Sequence, residues 1–210
     1  MKIQILVDNK KSWILNYLSS LINEIKILGN KVNMIYEEKE IVKGDVLIML
    51  SCEKIIKSLN LNRHNVVVHE SELPKGKGFS PLTWQILEGK NQIPITIFEA
   101  SNEVDSGEIY YKDTIFCDGT ELIEELREKQ FAATKRLIIK FLKNLDKLPK
   151  LKNSTKESFY KKRTPEDSML DVNKTIVDQF NLLRVVDNKR YPAFFILKGV
   201  KYKIEITKWS

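Results

Sequence analysis

A soluble α/β domain built on a mostly parallel sheet is the fold class that this 210-residue chain predicts. Two observations carry the prediction. Short apolar runs with the composition of buried strands alternate with segments of helical periodicity. One of those runs, Asp45-Val46-Leu47-Ile48-Met49-Leu50, is continuously apolar, as in a strand covered on both faces.

The elements follow in order. Ile3 to Val7 reads as a buried strand, and Trp13, Ile14, Tyr17, Leu18, Leu21, Ile22, Ile25 and Leu28 recur at helical spacing until Gly29 supplies a stop. Strands are expected at Val32 to Ile35, at 45–50 and at Asn65 to His69. Ser80 as N-cap with Pro81 at the first helical position opens a short helix that Gly89 closes. Ile95 to Phe98 and Ile109 to Tyr111 are two strands around a loop, 102–107, that carries Asp105. Asp118 and Glu121 precede a long amphipathic helix reaching about Leu145. The polar stretch from Leu148 to Thr155 lacks periodicity, which divides the chain into a core, 1–148, and a C-terminal extension, 149–210. In the extension a turn at 163–167, a helix over 171–183 and a hairpin around Gly199 are expected.

Composition narrows the function. Hydrophobic residues make up 42% of the chain, enough for a core, and no apolar run approaches the length of about 18 residues that spans a membrane. The N-terminus enters a strand at once without a signal-peptide pattern, so a cytoplasmic protein is expected. Two cysteines, Cys52 and Cys117, are too few for a disulfide framework, and two histidines without a carboxylate cluster indicate no metal site. The net charge of +7 is uneven: residues 151–210 hold 13 Lys+Arg against 7 Asp+Glu, a net of +6, which leaves +1 for the rest. A basic extension beside a near-neutral core can meet a nucleotide, a nucleic acid or simply water.

In parallel sheets ligands collect beyond the carboxyl ends of the strands, where Ser51, Cys52 and His69 are expected. An imidazole there suits proton transfer, and Asp105 could hold the ring in one tautomer and favour its charged form. Gly76-Lys77-Gly78 neither follows a strand directly nor completes a dinucleotide fingerprint; it reads as a flexible loop whose lysines reach substrate. His64 reads as a surface turn residue and Trp84 as core packing.

Read together, His69-Glu-Ser-Glu-Leu-Pro-Lys-Gly-Lys-Gly, Ser80-Pro81 with Trp84, Gly89, Thr96 and Asp105-Ser-Gly-Glu-Ile resemble the folate-dependent formyltransferases over most of residues 1–145. The resemblance implies a Rossmann-like core that moves a formyl group from N10-formyltetrahydrofolate to an amine, with His69 and Asp105 at the positions of the catalytic His and Asp. It places Ser51, Cys52 and Asp105 at the folate, and Ser71, Lys77 and Arg163 toward the acceptor. The family pattern Asn-x-His departs here, because Val67 stands two residues before His69. Loss of one donor at a developing oxyanion costs about 10²- to 10³-fold. Ser51, Ser71 and protonated His69 are the candidate replacements, whereas Asn65 lies about two residues too far from the strand end.

Lys162-Arg163-Thr164-Pro165-Glu166-Asp167 resembles a stretch that nucleotide-sugar formyltransferases place near their sugar nucleotide, and the guanidinium of Arg163 suits phosphate or carboxylate. The whole chain, including 181–188 and 190–195, resembles formyltransferases of pseudaminic or related nonulosonic acid biosynthesis. The implied acceptor is a small amino sugar, nucleotide-linked or a pathway intermediate, rather than a nucleic acid, and the resemblance allows a homodimer. The alternatives are a tRNA formyltransferase with a shortened tail, since the extension looks short for a tRNA-gripping domain, and a binding protein that has lost catalysis along with the asparagine.

Overall fold

A computed structural model describes residues 1–151 and 156–209. Its centre is a six-stranded sheet of β1 (Lys2–Leu6), β2 (Lys31–Ile35), β3 (Gly44–Met49), β4 (Asn62–His69), β6 (Gln92–Glu99) and β7 (Ile109–Phe116) in the order β2-β1-β3-β4-β6-β7. The four leading strands are parallel and β6 and β7 are antiparallel to their neighbours. The two-residue strand β5 (Lys77–Gly78) lies outside this sheet. The chain therefore has the mixed α/β architecture, largely parallel, that the alternating runs predict.

Three helices, α1 (Leu18–Ile27), α2 (Pro81–Leu87) and α3 (Ile123–Lys143), bury apolar faces against one side of the sheet. Leu21, Ile25, Ile86, Leu137, Ile138 and Phe141 meet Ile3, Ile5, Val46, Ile48, Val66 and Ile97 there. The opposite face is covered as well, as the continuous run at 45–50 predicts, but by irregular segments rather than helices. Leu6, Ile35, Leu47 and Met49 are buried beneath the irregular segments that supply Ile41 and Ile56.

Local chemistry explains where boundaries moved. Ser80 opens α2 from a left-handed conformation (φ 50°) and its side chain makes no capping bond, so Pro81 alone marks that start. Glu121 binds the amides of Asp118 and Gly119, while Glu125 reaches back to the Leu122 amide to begin α3. In the extension the helix expected over 171–183 shrinks to α4 (Phe180–Val185) after a single 3-10 turn. The Asp171 carboxylate takes the Asn173 amide and Asp178 takes the Thr175 hydroxyl, which favours turns over helix. The hairpin is β9 (Ala193–Leu197) and β10 (Val200–Ile204), turning through Lys198 and Gly199, both at positive φ.

The extension packs back onto the core. Strand β8 (Phe159–Tyr160) pairs in parallel with β5, and Tyr160 stacks on Trp84 at 6.3 Å and 12°. Gly76-Lys77-Gly78 is thus a strap of sheet rather than a flexible loop. A Cβ on Gly78 would stand 2.4 Å from the Tyr160 carbonyl oxygen, so the pairing requires glycine. Part of the expected boundary at 148–155, residues 152–155, lies outside the described residues.

Candidate active site at the carboxyl edge of the sheet

The carboxyl ends of β3 and β4, the β6–β7 loop, the N-terminal turns of α2 and α3 and the extension enclose a cleft of about 620 Å³. Strand alternation gives it two sides. Met49, Val67 and Phe98 belong to the side away from the helices, with Cys52, Ile56 and Ala100. Trp13, Ile14, Leu82 and Leu126 belong to the helix side, with Gln130 and Thr134 from α3.

His69, the last residue of β4, is buried between them. Its Nε2 lies 2.8 Å from the Gly76 carbonyl oxygen. A carbonyl only accepts, so Nε2 donates and the lone pair of the neutral ring resides on Nδ1. Nδ1 is 3.7 Å from Oδ1 of Asp105, beyond a hydrogen bond but close enough for a strong charge interaction. The other carboxylate oxygen of Asp105 accepts the Gly78 amide at 2.7 Å, which ties the acid to the strap. Asp105 and Ser51 both hold positive φ, 46° and 53°, at the rim of the cleft. Glycine at 107 is obligatory for this loop, since a Cβ there would sit 1.9 Å from the Glu99 carbonyl oxygen.

The other anticipated residues divide. Ser51 lines the cleft and receives the Ser12 hydroxyl at 3.0 Å, leaving its own hydroxyl hydrogen to donate. Cys52 lines it too, but its thiol donates to the Leu6 carbonyl and burial pushes its pKa up to about 12, so it contributes a neutral wall. Arg163 lies at the mouth, where Nη2 donates to Ser168 and to the Asp167 carbonyl while Nε finds no acceptor among the described residues. Ser71 is displaced from the substrate role: it is buried beneath Gly76, off the cleft, and its hydroxyl has no partner among the described residues. Lys77 is displaced as well, since its ammonium is buried against Ser106 at 2.7 Å and Glu157 at 2.8 Å.

Asn65 does not substitute for the missing asparagine, because its amide donates to the Leu59 carbonyl at 2.8 Å. His64 is not a turn residue: it lies on β4 with Nδ1 3.3 Å from Glu99, which also receives the Tyr110 hydroxyl. Trp84 packs on the extension, its indole donating to the Lys161 carbonyl. Among the described residues no cluster of three or more potential ligands is arranged for a metal, and no helix is long and apolar enough to cross a membrane.

Among the cleft residues that the sequence does not single out are Glu70, Arg127, Gln130, Thr134 and Arg190. Gln130 and Thr134 left a signal, as polar interruptions four apart in the apolar stripe of α3 that runs through Leu126, Ala133 and Leu137. Glu70 stands beside His69 in the same word but turns the other way. Burial raises its pKa, against the opposing influence of His69 and of a hydrogen bond with Gln130.

A buried imidazole with a carboxylate behind it, at the strand ends of a parallel sheet and beside an apolar slot, is an arrangement chemically suited to proton transfer. The formyl transferase family profile matches residues 29–142, and the chain belongs to that family. The methionyl-tRNA formyltransferase of Mycoplasma capricolum subsp. capricolum is 26% identical over 197 residues, 90% of this chain and 62% of that protein. The chain spans about half to three fifths of the length of the curated relatives it matches. Among solved structures, a methionyl-tRNA formyltransferase from Clostridium thermocellum superposes with a TM-score of 0.82 at 19% identity, covering 100% of this chain and 94% of that one. A 4-N formyltransferase from Francisella tularensis gives 0.77 at 16% identity, covering 100% and 98%. HypX from Aquifex aeolicus, solved in complex with tetrahydrofolic acid, gives 0.78 at 17%, covering 96% and 36%. These three establish the shared fold.

Proposed function

We propose that this protein transfers a formyl group from N10-formyltetrahydrofolate to the amine of a small sugar, nucleotide-linked or a nonulosonic acid precursor. The observation that carries the reading is the single-ended His69: Nε2 is held by Gly76, so Nδ1, facing Asp105, is the one place where a proton from an attacking amine can come to rest. The residues fit the donor. Met49, Ile56, Val67 and Phe98 form an apolar wall for a flat ring, and a cleft of about 620 Å³ is of ligand size. When bound there, the folate supplies the formyl carbon as electrophile. Nδ1 of His69 accepts the acceptor's proton as the new bond forms, Asp105 favours the resulting imidazolium, and Ser51 offers a hydrogen bond toward the formyl oxygen.

The mouth of the cleft favours an anionic acceptor. Lys162, Arg163 and Arg190 from the extension border it, and Arg163 keeps an unused donor while burial lowers its pKa. Such a guanidinium suits the phosphates of a sugar nucleotide. Aminoacyl-tRNA is the second reading, favoured by the methionyl-tRNA formyltransferases among the relatives. Mass analysis of products formed with N10-formyltetrahydrofolate and either UDP-linked amino sugars or charged initiator tRNA tests the choice. Formylated sugar with weak salt dependence is expected. Formylation of tRNA alone, weakening steeply with salt, overturns the sugar assignment.

A further inference from the structure

Two protons must leave the acceptor nitrogen, and the site described so far accounts for one. An amino group arrives in neutral water as an ammonium ion, which has no lone pair to attack with. His69 takes the proton released as the bond forms, so a second group that takes the first would let the ammonium form react as well.

Glu70 lines the cleft next to His69 in sequence but on the helix side of the sheet edge, with Gln130 of α3. Gln85 donates to its backbone carbonyl at 2.6 Å and fixes it at the strand end, and the Gln130 side chain bears on its carboxyl, opposing the rise in its pKa. Among the described residues it pairs with no Lys or Arg. Arg127, the cation of α3 that lines the same side, is turned to Glu124 at 2.8 Å and Asp187 at 2.7 Å. The ionisable groups that bear on Glu70 are His69, the last residue of β4 just before it, and Asp105 from the β6–β7 loop. A desolvated carboxyl without a cation is a costly arrangement that a ligand cation would relieve. Desolvation also raises its pKa, which makes it a stronger base than a surface carboxylate.

We propose that Glu70 receives the acceptor's ammonium and removes its first proton, so that neighbouring residues on opposite faces of one strand end serve a single nitrogen in turn. The inference rests on the amine-formylation reading above. In the first step an N–H bond of the ammonium breaks and an O–H bond forms on the Glu70 carboxylate, giving a neutral amine and a neutral acid. In the second, the amine nitrogen bonds the formyl carbon as the bond from that carbon to the folate nitrogen breaks. The second amine proton reaches the folate nitrogen through Nδ1 of His69, and the proton on Glu70 passes to solvent.

The test uses the full-length protein, Glu70→Gln and His69→Ala, with two acceptors: UDP-glucosamine, which is charged near neutral pH, and hydroxylamine, which is already neutral. Glu70→Gln is expected to lower kcat/KM for the sugar about 100-fold near neutral pH. The deficit should shrink as pH rises toward the amine's own pKa, while hydroxylamine is formylated at nearly the wild-type rate. His69→Ala should lose both reactions. In difference infrared spectra, adding methylammonium should shift a carboxyl band of the wild-type protein that Glu70→Gln lacks. Equal losses for both acceptors at every pH, no loss at all, or no response to methylammonium overturns the proposal. A wild-type protein that formylates neither amine overturns the functional reading and this inference with it.

Discussion

Replacing Asp105 by Asn isolates what the carboxylate charge contributes. Asn retains a carbonyl oxygen that can accept the Gly78 amide, now at 2.7 Å, so the strap stays in place and the fold should survive. The negative charge 3.7 Å from Nδ1 of His69 is what disappears. His69 is buried and Asp105 is half-buried, with side-chain exposures of 8% and 14%, so water screens the pair only in part. At an effective dielectric constant of about 20, unit charges at that distance attract by ~4 kcal/mol. That energy favours the imidazolium that forms as the amine gives up its proton, and its loss corresponds to about a thousandfold in rate. Steady-state formylation with N10-formyltetrahydrofolate should show the loss in kcat, with the KM for folate little changed and the circular dichroism melt near wild type. A variant that keeps more than a third of wild-type kcat would refute the charge role assigned to Asp105.

Other consequences follow from the same geometry. Val67→Asn places an amide on the His69 face of β4, so kcat should rise up to about 100-fold if the formyl oxygen lacks a donor; an unchanged kcat would mean that Ser51 already serves. Gly107→Ala forces a Cβ to 1.9 Å from the Glu99 carbonyl oxygen and should lower the melting temperature while displacing Asp105, read as a parallel loss of activity. Arg163→Ala should raise the KM for a sugar nucleotide and leave kcat nearly intact, whereas equal KM values would remove Arg163 from the acceptor site. Glu121 resists the burial that would raise its pKa, because Lys129 and the amides of Asp118 and Gly119 hold it down at about 2. A carboxyl depressed in the fold stabilises above its unfolded pKa and loses that contribution as pH falls. Urea midpoints should therefore drop between roughly pH 4.5 and pH 2 in wild type, and less so in Glu121→Gln.

What was legible in the sequence was local. The apolar run ending at His69 announces a strand end, and with it a place at the ligand-binding edge, because burial and strand period are written in consecutive residues. The 3.7 Å approach of Asp105 follows from no spacing; it needs the turn between β6 and β7 and the positive φ at Asp105. Gly76-Lys77-Gly78 was misread because its partner strand, Phe159–Tyr160, lies some eighty residues away and is only two residues long. The charge of Lys77 suggested exposure, yet Glu157 from the extension and Ser106 compensate it in a buried site. His64 misled in the same way, since Glu99 from β6 supplies the partner that lets an imidazole sit within the strand.

The pairing of His69 with Glu70 shows why a motif read as a word conceals part of its chemistry. In a strand the single step between adjacent residues reverses the face, so two neighbours in sequence look into different halves of the cleft. Residues two apart, Val67 and His69, share a half, and a donor lost at 67 cannot be restored from 68 or 70 on the same side. Whatever occupies 70 instead addresses the helix side, where Gln130 of α3 lines the cleft. On the proposed mechanism, substitution at 67 is expected to act on the formyl group and substitution at 70 on the incoming amine. Because both positions depend on the same imidazole, a double-mutant cycle on kcat should show coupling between them, and strictly additive effects would separate them from His69.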